Sequence, residues 1–121
     1  MKYLCLVFID EKNLETLSAN EAQSLDDESL AYDDTLRQAG HFIAAQALQL
    51  SRSAATVCVR RGKALVTDGP FAETKEQVGG FILIEAHDLK EAIQLASKIP
   101  VARLGTIEVR PIKELTRSIA R

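Results

Sequence analysis

The chain has 121 residues, with 15 Lys and Arg against 17 Asp and Glu, for a formal net charge of −2. That length fits one domain able to bury its own core, with no Pro/Gly/Ser-rich linker to divide it. The near-neutral balance excludes the basic excess that nucleic acid or an anionic membrane surface calls for.

Taken in order, Tyr3–Ile9 is apolar at every position, the pattern of a central strand covered on both faces. It is too short to cross a bilayer or to act as a signal peptide, and Asp10-Glu11 follow directly, so a cytoplasmic protein is expected. After a polar connection, Ser18-Ala19-Asn20-Glu21 reads as a capping box opening a helix to about Ala39. Ala22, Leu25, Ser29, Tyr32, Leu36 and Ala39 form its buried stripe, and Gly40 is its stop. The opposite face carries Asp26, Asp27, Glu28, Asp33 and Asp34. Asp26 and Asp33 stand two turns apart, too far to share one ion on a single helix. Asp33 and Asp34 are spaced to pair with Arg37, and the whole face reads as a solvated acidic surface.

A strand follows over His41–Leu50, then a hairpin of Thr56–Arg60 and Ala64–Thr67 turning at Arg61-Gly62-Lys63. Phe81–Ile84 is a second continuous apolar run and a second central strand. Asp88 caps another helix, with Leu89, Ala92, Ile93, Ala96 and Ile99 as its stripe and Pro100 as its end. The last strand covers Thr106–Arg110. Residues 113–121 form a tail after a domain of residues 1–112. Cys5 and Cys58 lie in apolar runs without metal-ligand spacing and read as two reduced, buried thiols.

Without the hairpin, this order is the split βαβ pattern of a ferredoxin-like α+β fold. Both helices then cover one sheet face, and the chain has nothing left for the other. A homodimer, sheet against sheet, is expected.

Between the hairpin and Phe81 lies the segment densest in ionisable groups. It opens with Asp68-Gly69-Pro70-Phe71, continues as Ala72-Glu73-Thr74-Lys75-Glu76 and closes with Gly79-Gly80. Gly69-Pro70 fixes a bend, Asp68 is placed to cap it through backbone amides, and Phe71 reads as an apolar anchor. On the last strand, Ile107 and Val109 point one way while Thr106, Glu108 and Arg110 point the other. Arg110 is suited to hold a carboxylate or phosphate, and a Glu108–Arg110 network ordering the dimer interior is the alternative.

Asp68 through Glu76, with Met1-Lys2-Tyr3, Gly79-Gly80-Phe81 and Glu108-Val109-Arg110-Pro111, resembles the DGPF proteins, a branch of the YCII-related family. The resemblance runs over residues 1–112. It implies a ferredoxin-like unit that pairs into a dimeric α/β barrel, in bacteria. For the wider YCII-related family the resemblance implies a His–Asp pair with the histidine on the first helix. This first helix has no histidine, and His41 and His87 stand at element boundaries, so that pair does not carry over.

Three functions are weighed. The first is a small-molecule-binding barrel whose cavity is lined by Asp68, Gly69, Pro70, Phe71, Glu73, Lys75, Glu108 and Arg110. The second is an enzyme of proton transfer, elimination or isomerase type, with Asp68 or Glu73 as base. The third is a regulatory partner, since DGPF relatives are often encoded beside sigma factors. No motif calls for a metal or an organic cofactor.

Overall fold

The computed structural model of the protein describes residues 1–119. Its strands are β1 Lys2–Ile9, β2 Phe42–Ala47, β3 Ala55–Arg60, β4 Lys63–Asp68, β5 Gln77–Glu85 and β6 Gly105–Pro111. Its helices are α1 Glu11–Glu15, α2 Ala19–Gln38 and α3 Leu89–Ala96. The main sheet runs β2-β5-β1-β6, with every neighbour antiparallel. With β3 and β4 set aside as a separate two-stranded sheet, this is the ferredoxin-like split βαβ order. The two apolar runs, β1 and β5, hold the central positions, as their two-sided patterning predicts.

Packing explains the layer. Tyr3, Cys5, Ile82 and Ile84 point to the helix side and are buried there against Leu36 of α2 and Ala92 and Ala96 of α3. The Tyr32 hydroxyl donates to the Leu95 carbonyl at 2.7 Å and ties the two helices together. Burial pushes the Cys5 thiol up to about 11, leaving it protonated and unreactive at neutral pH. At Gly80 a Cβ would stand 2.7 Å from the Gln46 carbonyl, so β2 approaches β5 only because that position has no side chain.

The caps form as expected. Ser18 and Glu21 make a reciprocal capping box, and those bonds to Ser18 hold the Glu21 carboxyl below its ordinary range. Asp88 accepts from the Glu91 amide.

Several expectations are corrected. The connection after β1 contains α1, whose N-cap Asp10 accepts from the Lys12 amide; five residues are too few to leave a periodic signal. Ala22 and Ala39, at the ends of the α2 stripe, are exposed. The second long helix ends at Ala96, before a 3-10 turn at Pro100–Arg103, and its Leu89 and Ile93 face solvent. Cys58 is half-exposed on the hairpin rather than buried. Residues 112–119 hold no regular element. No helix among the described residues is long and apolar enough to cross a membrane.

Candidate functional site

The residues singled out in sequence lie on the hairpin end and on the helix-free sheet face. Gly69, at φ +96°, donates its amide to the Ala54 carbonyl at 2.7 Å, and Thr56 Oγ1 donates to the Gly69 carbonyl at 2.9 Å. These bonds fasten the bend to the base of β3. Farther along, Gln77 Nε2 donates to the Ala72 and Thr74 carbonyls, and the Glu76 carboxylate accepts from Thr106 Oγ1 at 3.1 Å. The segment thereby reaches β6, where Arg110 Nε donates to Glu108 Oε2 at 2.8 Å. Thr106, Glu108 and Arg110 face away from the helices, opposite Phe8, Leu6 and Leu4 in register.

Two expectations fail in the single chain. Phe71 is 90% exposed rather than an anchor, because no neighbouring element offers it an apolar surface. Asp68 makes no side-chain hydrogen bond to the turn among the described residues; Gly69 and Thr56 hold the bend instead. Glu73 and Lys75 are exposed, and Pro70 is half-buried.

A cavity of about 580 Å³ lies elsewhere, between α2 and the helix side of the sheet. None of the eight residues named above lines it. Its sheet lining includes Val7, Ile9, Gly80 and Ile82 with Ala45, Gln46 and Ala47 of β2, and Ile99 and Val101 line it as well. Leu14 of α1 and Leu50 also line it. There Glu11 accepts from the Ser51 amide at 2.7 Å and from Ser51 Oγ at 2.5 Å, joining α1 to the segment after β2. From α2 come Leu25, Asp26, Ser29, Leu30 and Asp33.

The acidic face of α2 is therefore two groups of residues. Asp27 accepts from Gln23, Glu28 pairs with Arg103 at 2.7 Å, and Asp34 pairs with Arg37 at 2.6 Å. Asp26 and Asp33 line the cavity and have no hydrogen-bond or ion-pair partner among the described residues. The expected Asp33–Arg37 pair does not form, since Arg37 turns to Asp34 and lies over the Phe42 ring. Partial burial raises the Asp33 carboxyl above its ordinary range; Arg37 offsets part of that shift and Asp34 adds to it. Asp33 is thus the half-buried titratable group that the sequence reading missed. Its signal was position: Asp26 and Asp33 directly follow Leu25 and Tyr32 of the buried stripe, so each sits on the flank of that stripe. No cluster of three or more His, Cys, Asp or Glu suited to a metal occurs among the described residues.

Comparison with known proteins agrees with this architecture. An uncharacterised protein of Rhizobium meliloti (strain 1021) is 35% identical over 114 residues, covering 93% of this chain and 92% of that one. Among solved structures, the 5-chloro-2-hydroxyhydroquinone dehydrochlorinase of Burkholderia phenoliruptrix AC1100, in complex with 2,5-dihydroxybenzoquinone, shares the fold. The TM-score is 0.55 at 16% identity, covering 93% of this chain and 94% of that one. The model of the YCII-related domain matches residues 1–116, and the chain belongs to the YCII-related family.

Proposed function

We propose that this protein binds a small molecule with an apolar body and a hydroxyl donor in the cavity beneath α2, and that Asp33 exchanges a proton with it. One observation carries the reading: a carboxyl group without a partner among the described residues, raised by burial, lines a cavity of about 580 Å³ with a largely apolar sheet wall. That volume is in the range of small-molecule sites, and a carboxyl shifted toward neutrality is what general acid–base work needs. The fold's occurrence in a dehydrochlorinase solved with a hydroxylated ring is in keeping with this assignment.

The test is calorimetric titration of 4-ethylphenol, a neutral ring with one donor, into the protein and Asp33→Asn. A hydrogen bond to a charged acceptor is worth about 1.5–3 kcal/mol, so the substitution should weaken binding by roughly tenfold or more. Equal affinity for both proteins would contradict the assignment.

A second reading concerns assembly. Leu4, Leu6, Phe8, Phe81 and Leu83 lie on the helix-free face only partly covered. The segment Asp68–Glu76 meets β6 at the edge of that face through the Glu76–Thr106 bond. A second copy seated there would enclose Glu108 and Arg110 between two sheets, making a polar site separate from the α2 cavity.

A further inference from the structure

Lining charge narrows the ligand class, on the reading that the α2 cavity is the binding site. No Lys, Arg or His lines it among the described residues, whereas Glu11, Asp26 and Asp33 do. Glu11 is hydrogen-bonded by Ser51, which brings no countercharge, while Asp26 and Asp33 have no partner among the described residues. Asp33 lies deeper and Asp26 is exposed. Seven residues of helix separate them by roughly 10 Å along one face. A ring with its hydroxyl at Asp33 would therefore direct its far substituent along α2 toward Asp26.

We infer that the cavity selects its ligand by charge through Asp26, accepting a hydroxylated ring whose far end is neutral or an ammonium and refusing one that ends in a carboxylate or phosphate. An ammonium meets an opposite charge there. An anion enters a site lined by three carboxylates and, among the described residues, by no Lys, Arg or His, and is repelled there.

Three probes with a common phenol end test this: tyramine, 4-ethylphenol and 3-(4-hydroxyphenyl)propionate, titrated at one ionic strength. Tyramine should bind about three- to fivefold tighter than 4-ethylphenol, a modest gain because Asp26 is exposed. The propionate should bind weaker than 4-ethylphenol by a similar factor of about three to five, because its carboxylate meets the same exposed Asp26. Asp26→Asn should abolish the tyramine preference over 4-ethylphenol and recover part of the propionate binding. Asp27→Asn changes the net charge equally from outside the cavity and should leave all three affinities as they were. Equal affinities for the three probes, or the same response to Asp26→Asn and Asp27→Asn, would overturn charge selection while leaving the cavity assignment standing. Failure of all three probes to bind would overturn the assignment and this inference with it.

Discussion

The helix side of the sheet and the β3–β4 hairpin use the same kinds of residue to opposite ends. Ile84 and Val7 are 1% and 7% exposed, while Val57 and Val66, cross-strand partners on the hairpin, are 62% and 65% exposed. One region is closed by its own helices; the other is an isolated two-stranded ribbon with no core beneath it. Such a ribbon is marginal in water by itself, and apolar area left so open is characteristic of association surfaces. The helix side is thus covered within the chain, whereas the hairpin leaves its apolar side chains open.

Core substitution should have the largest effect. Ile84→Ala empties a fully packed site and is expected to cost about 2–5 kcal/mol in chemical denaturation. A loss under about 1 kcal/mol would mean that the helix side is as open as the hairpin. On the hairpin, Val66→Lys should cost the single chain only roughly 0.5 kcal/mol. It should nevertheless shift a homodimer toward monomer in sedimentation equilibrium at micromolar concentration. A wild-type protein that sediments as a monomer would break the comparison outright. Smaller still is Phe71→Ala: a packed ring would cost about 3–5 kcal/mol, but at 90% exposure the change in a single chain should stay within about 0.5 kcal/mol. A loss in the larger range would place Phe71 inside an interface.

Legibility in the sequence follows the same division. Continuous apolar runs identified β1 and β5 as central, and cap chemistry located the starts of α2 and α3, because these are local rules the structure obeys. Arg110 and Glu108 were placed on the helix-free face by alternation alone. What escaped was set by tertiary space. Periodicity assigns Asp33 to the outer face of α2, but the helix stands far enough from β1 and β5 to leave a cavity that its flank residues line. Phe71 looked like an anchor because an aromatic ring beside a turn usually packs, and only the fold reveals that no neighbour is available.

Burial raises the Asp33 carboxyl in the folded state, so its contribution to stability has a definite sign. A raised folded value favours the fold below the ordinary carboxylate pKa, and that contribution is lost as pH rises through the folded value. Asp33→Asn removes the cost of ionisation and should leave the variant relatively more stable than wild type toward neutral pH.

The most direct test of the cavity assignment is titration of the Asp33 side-chain carboxyl by carbon-13 NMR, with and without 4-ethylphenol. The expected midpoint lies above the ~3.9 of an unperturbed aspartate, and the resonance should move when the phenol binds. An Asp33 that titrates at the ordinary value and ignores the phenol would contradict the claim that this carboxyl group serves the cavity.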